Sequence, residues 1–331
     1  MSPIILVKWG YSVNFNTQKF DTLELFESNN SLNNIIYITD HITEYRANGI
    51  EEALNKKIKH SANVSFIEND NNSLSINNKT FKLRDLKQDQ APLINALNVK
   101  PKDTIVFDLN SVKLPLLLVI LKLLTDSPIS RFLFVYGEPR KYSKDNKSNA
   151  TSKCDIENRN FNLSNACSDF SSIPFASLNL SDETVKGGIV IHGFEGDRLN
   201  RLFNKNEGIL EKDLIGIFQV PAVKAGWEND SYYGNYSAIE EGKTAFRDFF
   251  YCAAYDPLQI YEIIVQYRLS YTKSHNEKIF SVPLGPAPTG LGVVLACIQG
   301  KCQGVLYDYP ISNDDKSDGI NSVYLYEYNK S

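Results

Sequence analysis

The sequence predicts an α/β fold built on a mostly parallel, Rossmann-like sheet, in two similar halves around a polar insert. Three observations lead there. Short apolar runs such as TIVFD and GGIVIHGF are bounded by turn residues, as buried strands are. Helical stretches fall between such runs, and strand, helix, strand at that spacing is a βαβ unit that favours a parallel sheet. Residues 141–180 then break the alternation, being rich in Ser and Asn and almost without aliphatic residues. The expected division is an N-terminal α/β half at 1–140, a flexible insert at 141–180, and a C-terminal Rossmann-like half at 181–331. The strands are expected in one continuous sheet or in two.

In the first half, PIILVKWG (3–10) and IIYIT (35–39) read as strands, and 41–58 as a helix with Ile50, Ala53 and Leu54 toward a core. Short strands follow at 64–69, 73–78 and 80–83, then TIVFDL, a buried helix at 114–124 and the strand RFLFVYGEP. Pro115 suits the first turn of that helix, and Ser111 is the expected cap. In the second half, strands are expected at GGIVIHGF, DLIGIFQVP, FRDFFYC, KIFSVPL, QGVLYDYP and SVYLYEY. Helices are expected from 195, from 257 (with Leu258, Tyr261, Val265 and Leu269 on one face) and at VVLACIQG. The insert is too polar to offset its own ordering entropy, which predicts a surface segment, either a mobile loop or a lid.

Composition narrows the function. With 331 residues, 42% hydrophobic and 22% charged, the chain matches a globular protein. A net charge of −4 argues against a general binder of duplex nucleic acid. The run LPLLLVILKLL is about half the length that spans a bilayer. Five cysteines without a CxxC pair and four scattered histidines give no zinc spacing, so no metal is expected and the thiols read as reduced. The Asn-x-Ser/Thr triplets reflect an Asn-rich composition, and a cytoplasmic location is expected.

Sheets of this class bind ligands beyond the carboxyl ends of their strands. Asp108, Glu138, Glu195 and Asp256 each end a predicted strand, and in one parallel sheet they share a face. As a set, Asp108, Glu138 and Glu195 are candidates for general acid/base or metal-ligand roles. Each also has a structural reading. Asp108 closes an Asx turn, Glu138 is a solvated loop charge or pairs with Arg140, Glu195 faces a helix dipole, and Asp256 caps a helix that opens with Pro257.

PLGPAPTGLG (283–292) sets three prolines and three glycines between a strand and a helix. With Thr289 as N-cap, the amides from Thr289 through Gly290, Leu291 and Gly292 form an anion cradle, with Gly285 in the turn before it. The alternative is that Gly290, Gly292 and Ala296 serve close helix–sheet packing. Arg198, one turn into the helix after GFEG, is the candidate basic partner of an anion, or the surface partner of Glu195. GFEGDR lacks the spacing and lysine of a P-loop. WENDSYYGN reads as a polar loop whose Trp227, Tyr232 and Tyr233 stack on a base or sugar, or simply anchor the loop.

Across residues 187–310, the strand, the Gly/Pro/Thr turn at Gly285–Thr289 and the small-residue helix after it resemble the CARF family. That resemblance implies a Rossmann-like domain that senses cyclic oligonucleotides in prokaryotic defence. The family turn carries a lysine, which is absent here. The expectation is a cytosolic binder of a small anionic ligand, a nucleotide by preference, acting as sensor or regulatory component. The alternatives are an enzyme acting on a nucleotide or phosphoester through the strand-end carboxylates, and an assembly component with a protein partner.

Overall fold

A computed structural model describes residues 13–330 except 41–44, 68–69, 101–102, 143–160, 162, 207, 243–244, 273, 275 and 313–316. The strand expected at 3–10 and most of the insert lie outside the described residues. The chain is mixed α/β. It divides into two compact units, residues 1–140 with 318–331, and residues 141–317.

Unit 1 runs β1 (Asn14–Phe20), α1 (Leu23–Asn29), β2 (Ile35–Thr39), α2 (Tyr45–Leu54), β3 (Ile58–Ile67), β4 (Asp70–Ile76), β5 (Lys79–Lys82), α3 (Leu83–Gln88), α4 (Ala91–Ala96), β6 (Thr104–Asp108), α5 (Leu114–Leu124) and β7 (Arg131–Tyr142). The sheet order is β1-β16-β7-β6-β2-β3-β4-β5, where β16 is Ser317–Asn329. The strands β3, β2, β6 and β7 run parallel. All five residues of β2 are buried, which is why IIYIT is a continuous apolar run rather than an alternating one. Ile50, Ala53 and Leu54 of α2 join the core with Tyr37, Val106 and Val135. Pro115 sits in the first turn of α5, but the cap position is Lys113, because the Ser111 hydroxyl is engaged elsewhere: it donates to Asp108 O and accepts from Asp40 N.

Unit 2 runs β8 (Ser164–Ala166), β9 (Ser171–Ser172), β10 (Val185–Ile191), α6 (Gly196–Lys205), β11 (Asp213–Gln219), α7 (Trp227–Glu241), β12 (Phe246–Cys252), α8 (Pro257–Tyr271), β13 (Lys278–Pro283), α9 (Ala287–Ile298), β14 (Gly304–Tyr307) and β15 (Ile311–Ser312). Its sheet has the order β12-β11-β10-β13-β14-β9. The first five strands are parallel, and β9 is an antiparallel edge.

Four expectations are corrected. Of the two arrangements expected the strands take the one with separate sheets, but SVYLYEY belongs to unit 1 and not to the second half, because β16 pairs antiparallel with β1 from Asn14↔Asn329 to Phe20↔Val323. The insert is not uniformly loose: β9 hydrogen-bonds to β14 and β8 to β15. WENDSYYGN is the start of α7 and not a loop. Gly226 takes the left-handed conformation before it (φ 93°), Glu228 Oε2 accepts from Gly226 N, and acidic residues fill the first turn. In α8 the buried face is Pro257, Ile260, Tyr261, Ile264 and Tyr267, while Leu269 is exposed.

Candidate functional site

The four strand-end carboxylates are divided between the two sheets, so they do not share one edge. In unit 1, Asp108 ends β6 and is fully buried. Its Oδ1 accepts from Asn110 N and Nδ2 (both 2.8 Å), the expected Asx turn, and its Oδ2 accepts from Tyr37 OH (3.0 Å). Burial, and then the adjacent Asp108 charge, hold the Tyr37 hydroxyl well above its ordinary pKa. Asn110 Oδ1 accepts from Gly137 N, and Arg46 of α2 donates to Gly137 O at 2.8 Å while lying over the Tyr136 ring. Glu138 is not the expected loop charge. It is buried in β7, accepting from Asn321 Nδ2 (2.8 Å) and Tyr324 OH (3.1 Å) of β16. Burial raises its pKa, and the two donors and Lys19 offset part of that rise.

In unit 2 the strand order reverses between β10 and β13: the chain builds outward through β11 and β12, then returns to the other side of β10. The carboxyl ends at such a reversal are where open α/β sheets take ligands. Here they meet closely. Leu284 N donates to Ile191 O, and a side chain at Gly193 would strike the Leu284 carbonyl. A Cβ at Gly285 would lie 2.8 Å from Thr289 Oγ1 and 2.9 Å from Ile191 Cγ2. At Gly292 it would strike the Pro257 carbonyl and come within 2.7 Å of Ile260 Cβ.

Two of the four amides of the expected anion cradle are already bonded within the chain. The cap of α9 is Pro286, not Thr289, since Pro286 is extended and Ala287 begins the helix. Thr289 N (3.0 Å), Gly290 N (3.3 Å) and Thr289 Oγ1 (2.7 Å) all donate to Pro286 O. Pro286 and Pro288 have no N–H to offer. Thr289, Gly290, Leu291 and Gly292 are buried. Close packing is therefore what this geometry carries at PLGPAPTGLG.

Arg198 is engaged as well. Its Nε and Nη2 donate to Asp308 Oδ2 and Oδ1, both at 2.7 Å, and Nη1 lies 3.7 Å from Glu195 Oε2. Burial works against the guanidinium charge, but the bidentate Asp308 outweighs it and holds the Arg198 pKa above its ordinary range. Glu195 makes no side-chain cap bond to α6. Its carboxylate instead accepts from Leu163 N (3.2 Å), Ser164 N (2.9 Å) and Ser164 Oγ (2.9 Å). The same stretch is held further on by Ser168 N donating to Asp308 O (2.8 Å) and Arg201 Nη1 donating to Cys167 O (3.1 Å).

Beside Glu195 lies an aromatic cluster. The buried Phe161 ring stacks on Phe194 (4.2 Å, 25°), and Trp227 meets both edge-on at 6.2 and 5.8 Å. Tyr142 lies 5.0 Å from Trp227. The structure thus gathers Glu195, Arg198 and Trp227 with Phe161, Phe194, Tyr142 and Asp308. Tyr232 is not among them; its ring neighbours are Phe218, Tyr233 and Tyr236. Asp308 had a visible signal, since it ends the strand QGVLYDYP as the other carboxylates end theirs. Phe161 had only its isolation as an aromatic in a polar stretch.

His192, next to this cluster in sequence, is fully buried and stacked on Phe218 at 4.3 Å. Neither ring nitrogen has a hydrogen-bond partner, and burial lowers its pKa to about 3, so it is neutral across the physiological range. Asp256 caps α8, its Oδ1 accepting from Leu258 N and Gln259 N. Among the described residues, no group of three or more His, Cys, Asp or Glu is arranged to hold a metal ion, and no helix is long and apolar enough to cross a membrane. Compared with protein-family models and with curated proteins, the chain matches none.

Proposed function

We propose that the chain is a ligand-binding regulatory protein whose site is the carboxyl-end crevice of unit 2, a Rossmann-like sheet, and that its ligand is a flat ring bearing N–H or O–H donors, as in a nucleoside or nucleotide. One observation carries this reading. The chain's own segment presents to the crevice what such a ligand would present: the Phe161 ring stacked on Phe194, with the Leu163 and Ser164 amides and the Ser164 hydroxyl on the Glu195 carboxylate. Aromatic stacking tolerates any base, and a carboxylate accepts donors from an exocyclic amine or a ribose diol. The likeness of residues 187–310 to CARF domains supports the same ligand class.

The chemistry shifts the emphasis away from phosphate. Arg198 is neutralised by Asp308, and two of the amides at the α9 turn are already bonded. Base and sugar, rather than the anion, then supply the recognition. In this arrangement Phe161, Leu163 and Ser164 compete with the ligand for one place, and their release is the signal.

Calorimetry on wild type and Phe161→Ala tests it, using adenosine, guanosine and their 5′-monophosphates. The expected result is binding about tenfold or more tighter to Phe161→Ala, little difference between nucleoside and monophosphate, and loss in Glu195→Ala. Binding that requires the phosphate, or affinity indifferent to both substitutions, would sink the reading.

A further inference from the structure

The sheet edges of this chain are unequally protected. In unit 1, β5 (KTFK) carries lysines at both ends, and β1 (NFNTQKF) is polar between its two phenylalanines. In unit 2, β9 is two residues long. Charge, polarity and brevity are how sheets keep an edge from pairing with another chain. At the other edge of unit 2, β12 has seven residues, FRDFFYC, and β11 as its neighbour.

Its register slips between Leu214 and Ile215, leaving Arg247 as the extra residue of a bulge, held by Asp213. Past the bulge, Asp248–Cys252 runs regularly against Ile215–Gln219. Within that stretch Phe250 and Tyr251 point to opposite faces, yet 39% and 64% of their surfaces are exposed. Tyr251 pairs with Phe218, whose ring lies 5.8 Å from Tyr232; Tyr232 lies 6.2 Å from Tyr236. Those two tyrosines of α7 are about half exposed, so an open strand edge runs beside an uncovered aromatic strip.

We infer that β12 pairs antiparallel with β12 of a second copy of this chain, across a twofold axis at Phe250. In that register Phe250 meets Phe250 of the second copy, Phe249 meets Tyr251, and Asp248 meets Cys252. The pairing uses the whole regular stretch and stops at the bulge. Every exposed aromatic of the strand gains an aromatic opposite, the combination that favours cross-strand pairing. The only charge in the stretch, Asp248, faces a neutral thiol rather than its own copy. A twofold contact needs a self-complementary patch, and an antiparallel pair of one segment is self-complementary by construction. This inference is independent of the ligand reading above.

Light scattering and sedimentation from about 1 to 100 µM test it. Wild type is expected to be a dimer, and Phe250→Lys and Tyr251→Lys to dissociate roughly 100-fold more readily. Both side chains are exposed, so circular dichroism and thermal melts should match wild type. Phe250→Cys, on the axis, should form a covalent dimer under mild oxidation, well above the background of native thiols and of Tyr45→Cys, an exposed control in unit 1. A monomeric wild type at the highest concentration, an undiminished dimer in Phe250→Lys, or crosslinking no faster than the control would each overturn it.

Discussion

Units 1 and 2 both place carboxylates at the ends of parallel strands, and the two sets have different fates. In unit 1, Asp108 and Glu138 are bonded by side chains fixed in regular elements or in the adjoining turn: Tyr37, Asn110, Asn321 and Tyr324. In unit 2, Glu195 is bonded by the backbone amides of Leu163 and Ser164, inside the insert at the start of β8, and the Asp308 carboxylate by Arg198. The donors of unit 1 cannot leave without unravelling a sheet. Those on Glu195 belong to a segment whose release leaves the parallel strands of unit 2 intact. A strand-end carboxylate is therefore structural or available according to what supplies its donors, not according to its position.

The largest effect that sharpens this contrast is at Arg198. Replacing it with Met strands Asp308, which is fully buried, as an uncompensated charge. The expected loss is about 3 to 5 kcal/mol in chemical denaturation, largely recovered by adding Asp308→Leu. A loss below about 1 kcal/mol would mean that the pair is not part of the unit 2 frame. A smaller effect is expected at Phe161. A buried Phe→Ala change in a core loses about 3 to 5 kcal/mol. If the contacts of Phe161, Leu163 and Ser164 open locally, global stability should fall by only about 1 kcal/mol, while the Ser164 amide exchanges at least tenfold faster. A full core-sized loss would erase the distinction between the units.

The smallest effect is a pH slope in unit 1. Burial lifts the Glu138 pKa above its usual 4.5, so the native state binds that proton more tightly than the unfolded chain. Its contribution to stability is greatest below 4.5, declines as pH rises from 4.5 through the folded pKa, and is level above it. Glu138→Gln should remove this part of the slope and raise stability at neutral pH relative to its effect in acid. Denaturation midpoints for the two proteins across that window decide it. An unchanged slope would mean that Asn321 and Tyr324 fully offset the burial.

Much of this arrangement is legible in the sequence, for reasons of range. The apolar runs of β2, β6 and β7, the Asp256–Pro257 start of α8 and the Asp108 turn are set by residues within a few positions of each other. The division into two sheets is not local. SVYLYEY alternates as a strand does, but nothing in it says that its mate lies more than 300 positions earlier at Asn14–Phe20. In the stretch after Gly226, Asn, Ser and Gly favour a turn or loop. The left-handed Gly226 and the Glu228 carboxylate on its amide override that preference. At Thr289 the error was one of alignment: a good capping residue stands three positions inside the helix that Pro286 caps. The Glu195 partners were illegible because they come from a stretch whose composition reads as loop.

The order of strands in unit 1 has a consequence for synthesis. In the sheet, β1 lies at the edge with β16 as its neighbour, and β16 is made after every other described strand. Residues 141–317 form one uninterrupted stretch, so unit 2 emerges whole from the ribosome while β1 still waits for its mate. The first described strand of the protein is thus among the last to find its place. Removing residues 320–331 takes away most of β16 and leaves β1 without its partner, so two neighbouring strands at one edge of that sheet are lost at once.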